Sequence, residues 1–521
     1  MLALHASLVA AVAIHAGCAG SPDPDGGDCD TGKCDDVVLW GDVTEQTIGT
    51  TAEWSNKVEL ADVDGDGRVD MLFANGGNYN EPSADVEPNR IFLNQGPNQR
   101  FREATDEVLG SIGDLARVIK VRDLSGDGVA DILVGTTYQT QSRLYLGTGG
   151  GRFSEVTATH LPQTPASIGD LEFGDVDGDG DLDIVLADWG PGDPFQSEGA
   201  PVKLWLNTGD GHFTDGGAAM PQAKVRWSWD LELFDVDNDY DLDVMVACKV
   251  CTGGKLYLGD GRGGFTDASQ NLPQFTNNYE FEPFDLDGDG FLDVATINDG
   301  EQVSNEFDRR EHVFRNDRRG GFVDATGELW PAAANIGADD NVVTVLDVES
   351  DGDPDFLIGA LGDAADRLLI NDGAGHLSLK TNVFGGSATQ GTLGLALADL
   401  NNDGKLDAVQ SQGELATDER VYFGTGIAKD TAPPKIDRLE AATAGRVTIR
   451  VRIHDNKSPV MPHDFARLEL RVDNEARAAL VWYGGAMWRA TTDLRAGESF
   501  TVCATDAAGN EACSKPNLVG G

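Results

Sequence analysis

Positive charge is scarce in this chain. Its 521 residues include 39 Lys and Arg against 88 Asp and Glu, a formal charge of -49. A surface so biased repels nucleic-acid phosphates and anionic headgroups, so nucleic-acid binding is disfavoured. Long apolar runs are missing too. Outside the N-terminus none approaches the roughly 18 residues of a membrane span, and the body of the chain is expected to be soluble. The 8 histidines are scattered. There is no nucleophile elbow, no His-Glu-x-x-His and no phosphate-cradling loop, so a non-enzymatic protein is expected.

Cysteine is sparse but ordered. Of seven, six fall into close pairs, Cys29 with Cys34, Cys248 with Cys251 and Cys503 with Cys513, which suits disulfides in an oxidising compartment. For Cys248 and Cys251 a redox or metal role is the alternative. Cys18 is left alone. Residues 1–17 form an apolar, small-residue stretch ending Ala16-Gly17, which resembles a bacterial lipoprotein signal with Cys18 as the lipidated residue. It departs from that pattern in having His15 where Leu is usual and no Lys or Arg before the apolar run. Residues 18–36, rich in Pro, Gly and Asp, read as a flexible tether. The expected location is outside the cytoplasm: an outer-membrane or cell-surface lipoprotein, or a secreted protein.

Much of the acidity is periodic. One nine-residue phrase recurs seven times, with oxygen-bearing side chains at positions one, three, five and nine. Loop 1 offers Asp62, Asp64, Asp66 and Asp70; loop 2 Asp123, Ser125, Asp127 and Asp131; loop 3 Asp175, Asp177, Asp179 and Asp183. Loop 4 offers Asp235, Asp237, Asp239 and Asp243; loop 5 Asp285, Asp287, Asp289 and Asp293. Loop 6 offers Asp347, Glu349, Asp351 and Asp355, and loop 7 Asp399, Asn401, Asp403 and Asp407. Successive starts are 61, 52, 60, 50, 62 and 52 residues apart, a period typical of propellers and other repeat arrays.

The spacing suits calcium. A hard cation of that size takes six to eight oxygens, and alternate residues of a tight loop aim several carboxylates at one point. Gly at positions four and six permits positive φ, and the seventh residue offers its carbonyl. Magnesium demands a smaller octahedron, and zinc prefers His or Cys. Plain Asp-Gly turns are the alternative, but turns alone do not require an acid at position nine. Up to seven Ca2+ are expected. The loops with Ser125 and Asn401, one formal charge short, are expected to bind most weakly.

Each phrase is followed by a short apolar strand such as Ile132-Leu133-Val134, then a variable loop and a hairpin such as Lys203-Leu204-Trp205-Leu206-Asn207 turning to Phe213. Alternating apolar positions and Gly-rich turns argue for strands throughout, four to a blade. Phrases such as Phe173-Gly174-Asp175-Val176-Asp177-Gly178-Asp179-Gly180-Asp181-Leu182-Asp183 resemble the FG-GAP or VCBS repeat family, whose blades form the propeller heads of integrin α chains. The resemblance covers residues 37–430 and implies calcium in the loop between a blade's first and second strands, at the positions named above.

The expected fold is all-β: a seven-bladed β-propeller over 37–430, then a small immunoglobulin- or fibronectin-like β-sandwich over 431–521. The seventh repeat lacks its fourth strand. Leu39-Trp40-Gly41-Asp42-Val43-Thr44 is expected to supply it and seal the ring. Variable loops and inter-blade connections share the face opposite the acidic loops, where Trp54, Trp189, Trp227, Trp229 and Tyr279 are candidates for a carbohydrate or protein ligand, or else filling between blades. A binding or adhesion module is the first functional reading. A structural scaffold comes second and a polysaccharide lyase or hydrolase third.

Overall fold

The computed structural model describes residues 38–76, 86–97, 99–192, 194, 196–298, 300–303, 306–361, 364–385, 391–413, 416–442 and 446–520. The signal and tether readings, with Cys18, Cys29 and Cys34, lie outside the described residues. The chain is all-β, built of repeated four-stranded antiparallel blades with single-turn helices such as Thr105–Val108 and Thr157–His160 in the connections. Those turns were not visible in the sequence pattern, being too short to carry a helical period.

Blade 1 pairs Ser55–Ala61, Asp70–Asn75, Arg90–Leu93 and Arg102–Glu103 in that order. The same order recurs in blades 2 to 6, whose innermost strands are Ala116–Arg122, Ile168–Gly174, Leu231–Phe234, Asn278–Phe284 and Asp340–Leu346. Blade 7 has Thr392–Ala398 innermost, then Asp407–Gln412 and Arg420–Gly424, and its outermost strand is Trp40–Asp42 from the other end of the chain. The innermost strands touch one another in a closed cycle, blade 1 against blade 7 as well as blade 2.

Second strands are buried on both faces because each blade packs between two others. Ile132, Leu133 and Val134 have no exposed surface, which is why these strands read as unbroken apolar runs rather than alternating ones. Trp40 is also fully buried and donates its indole N–H to the Leu406 carbonyl, 2.9 Å away.

The C-terminal unit has two sheets. One runs Val481–Gly484, Met487–Thr492, Val447–His454, Lys435–Ala442; the other Glu475–Ala479, Phe465–Val472, Ser499–Asp506, Glu511–Cys513. Between them Ile449, Val451, Trp488, Leu470, Phe500 and Val502 form a buried core. The Cys503–Cys513 disulfide bridges neighbouring strands, and Cys248–Cys251 is also bonded. The unit docks on the end of the blades that carries the acidic loops. Gly484 pairs with Gly174, extending blade 3 into the first sheet.

Candidate functional site

All seven acidic loops share one local geometry. The first-position carboxylate turns back into its own loop. One oxygen accepts the N–H of the fifth residue at 3.0–3.2 Å. The other accepts the N–H of the sixth at 2.7–3.0 Å. Closing this turn requires positive φ at the fourth and sixth positions, and every loop has it. Glycine meets that requirement without strain. Loop 4 instead carries Asn238 at 62° and Tyr240 at 69°, loop 6 carries Ser350 at 57° and loop 7 Asn402 at 59°. Tyr240 is held by the C-terminal unit, since its carbonyl accepts the Tyr483 hydroxyl at 3.0 Å and its ring lies under the Arg450 guanidinium.

The ninth-position aspartates carry a second task that their spacing did not reveal. One oxygen accepts the N–H of the loop's second residue at 2.8–3.2 Å. The other accepts a backbone N–H at the end of the blade's third strand at 2.7–2.9 Å. An acid at position nine therefore ties loop to strand whether or not a metal binds, and is weaker as a metal signature than its spacing implied.

The FG-GAP-like repeat family matches residues 62–134, 123–186, 235–296 and 347–409, segments that each begin at a first-position aspartate and together contain all seven loops. The chain is an FG-GAP repeat protein. No curated protein matches it. Among solved structures, one titled for recognition of non-reducing terminal N-acetylglucosamine by an Agrocybe aegerita lectin matches at 20% identity over 63% of this chain and 79% of that one, with a TM-score of 0.41. A likeness of that degree carries no argument about a ligand here.

The donor set of the FG-GAP loops fits a hard cation. In loops 1, 4 and 5 the acids at positions one, three and five, and in loop 3 Asp175, Asp177 and Asp183, bring three carboxylate oxygens within 4.8 Å of one another. Among the described residues loops 2, 6 and 7 form no such trio. The third position gives a separate sign. Ser125 Oγ, Asp237 Oδ1, Asp287 Oδ1 and Asn401 Oδ1 are buried atoms without a hydrogen-bond partner among the described residues. Leaving buried oxygens unmatched costs about 1–3 kcal/mol each, which a cation at the loop centre offsets.

The aromatic candidates are not a surface. Trp189, Trp227, Trp229 and Tyr279 are 0–3% exposed and belong to one core cluster. Trp229 meets Trp189, Trp227 and Tyr279 at ring centroid distances of 5.4, 5.6 and 5.9 Å. The Arg117 guanidinium lies over the Trp229 ring at 3.8 Å. Of the two alternatives, filling between blades is the one the geometry supports for these four. Only Trp54 is half-buried.

A charged cavity of about 220 Å³ on the ring axis was missed. It is lined by inner-strand side chains and, at its loop end, by residues 454–463. Lys57 bridges Asp170 at 2.6 Å and Asp230 at 3.8 Å, and Lys120 pairs with Glu172. Glu232, Glu280 and Glu282 face the same space. Burial first, then neighbouring acids, pushes the Glu232 and Glu280 carboxyls well above the usual range. These charges sit five or three residues before the first five acidic phrases, a register that periodic reading of those inner strands alone would have exposed.

Proposed function

We propose that this FG-GAP repeat protein is an exported, calcium-binding, seven-bladed β-propeller with an immunoglobulin-like sandwich, and that it acts as a binding module for a carbohydrate or protein ligand. The observation that carries the calcium reading is the set of buried third-position oxygens without partners at Ser125, Asp237, Asp287 and Asn401. Bound calcium would offset part of each loop's negative charge and fix the loop between the first and second strands. The loops' own contribution is the turn that brings positions one, three and five together, and the ninth-position tie to the third strand. Rigid blades held in this way present their connecting loops as a fixed array on the opposite end, the usual place for recognition on such a scaffold. The disulfides Cys248–Cys251 and Cys503–Cys513 support export.

The test is metal analysis of the purified chain with glycan and protein arrays probed in calcium and in chelator. Several bound calcium ions and a ligand lost on chelation are expected. A chain that carries no calcium, or whose ligand capture ignores the chelator, would contradict the reading.

A further inference from the structure

The sandwich places arginines on the FG-GAP loops. Arg489 pairs with Asp175, the first-position acid of loop 3, whose side chain has no exposed surface. That carboxylate already accepts the N–H groups of Gly178, Asp179 and Gly180 at 2.8, 3.1 and 3.0 Å. The Asp175 N–H donates to the Tyr483 carbonyl at 2.8 Å, so the contact is anchored through the backbone as well. At loop 4, Arg450 reaches Asp241 at 2.8 Å. Arg452, 1% exposed, donates to Asn238 Oδ1 at 3.0 Å and to the Gly290 carbonyl of loop 5 at 2.6 Å. The acids acting on its guanidinium are first Asp437 of the sandwich, then Asp235 and Asp285, the first-position acids of loops 4 and 5.

We propose that Arg489, Arg450 and Arg452 are resident counter-cations of loops 3, 4 and 5, so that calcium binding there and docking of the sandwich oppose one another. The inference rests on the calcium reading above. A guanidinium on a loop carboxylate repels a doubly charged ion entering the same loop, and a loop that has gained two positive charges holds the guanidinium less firmly. Linkage makes the two effects equal: what the arginines subtract from calcium affinity, calcium subtracts from docking. Calcium then sets how firmly the sandwich sits over the mouth of the axial cavity. There Thr344 Oγ1 donates to the Ser458 carbonyl at 2.9 Å, and Lys457 is 6% exposed.

The experiment uses the full chain, Arg489→Gln and Arg489→Lys. Calcium affinity is read by isothermal titration, and docking by cleavage at Lys457 with a lysine-specific protease. In the parent chain calcium is expected to speed cleavage at Lys457. Arg489→Gln is expected to tighten at least one calcium site by about 10-fold, inside the range of about 5- to 150-fold typical of coupled sites, while Arg489→Lys keeps parent affinities. Should Arg489→Gln fail to fold, Arg450→Gln carries the same expectation for loop 4. If the parent binds calcium but the variant's affinities stay within twofold, or calcium slows cleavage, the coupling is wrong and the calcium reading stands. A parent chain that binds no calcium overturns both.

Discussion

The Asn94 side chain donates to the carbonyl of Leu400, 2.9 Å away and 306 residues distant in sequence, tying blade 1 to the acidic loop of blade 7. Its Nδ2 also reaches the Val69 carbonyl of its own loop at 3.1 Å. The device recurs: Asn207 holds the Leu124 carbonyl, Asn316 that of Val236, and Asn371 that of Leu286. Each asparagine ends a third strand, the position whose N–H meets the ninth-position aspartate. Replacing Asn94 with Ala leaves buried carbonyls unmatched and is expected to cost about 2 kcal/mol. A melting temperature within a degree of the parent in calorimetry would show that the ring does not depend on this tie.

Closure of blade 7 rests on Trp40 rather than on the strand's three residues alone. The ring stacks on Phe384 at 5.3 Å and packs with Tyr422 and Leu406 in one cluster. Truncation to Ala removes that packing and the indole bond to Leu406, an expected loss of about 3–5 kcal/mol. The variant's blade 7 should open first. Hydrogen exchange is expected to quicken in Arg420–Gly424 while Asp131–Thr136 of blade 2 stays protected, and uniform exchange would count against a seam.

The axial cavity sets a pH dependence. Burial pushes Asp230 up to about 7 and Glu282 to about 8. Asp230 faces Lys57, Asp170 and the Phe281 N–H, while Glu282 faces Ser458, Asp230, Glu172 and Lys120. An unfolded carboxyl titrates near about 4, so between about 4 and 8 the folded chain holds more protons than the unfolded one. The contribution of these two groups to stability is therefore greatest at the acid end of that window and falls as pH rises through it. Glu282→Gln removes one such group and is expected to flatten the fall in melting temperature between pH 5 and pH 8. A variant curve parallel to the parent's would exclude Glu282 as a source.

How far the sequence could be read depends on what each signal measures. The acidic phrase reports a backbone turn, so loop positions, strand order and the repeat were legible from Asp62 to Asp407. Side-chain direction was not. Trp189, Trp227 and Trp229 occupy connections, which on their own suggest exposure, yet they converge because the loop after blade 3's second strand meets the connection that leads into blade 4. The arginines on the loops were invisible because they come from a unit whose docking the repeat does not encode. For the tryptophans this has a direct consequence. Trp229→Ala should destabilise the fold by about 3–5 kcal/mol, and any folded fraction should keep its ligand affinity. Unchanged denaturant unfolding with lost affinity would return Trp229 to the binding surface.

Loop 2 offers the cleanest change in calcium affinity. Its third position is Ser125, whose Oγ is buried and unmatched, and among the described contacts the sandwich contributes no cation to this loop. The first, fifth and ninth positions, Asp123, Asp127 and Asp131, already stand as in the other loops, with the same turn. Ser125→Asp adds one carboxylate at the place where loops 1, 3, 4 and 5 carry theirs, and ligand charge count is one of the quantities that tunes calcium sites. Two results are expected together: a weak calcium site in titration becomes tighter by about 10-fold, and calcium raises the melting temperature further than in the parent. Without calcium the added charge meets Asp127 and Asp123 unscreened, so the same variant should melt lower than the parent in chelator. A variant that gains stability in chelator would mean that position three serves the turn itself and not a bound ion.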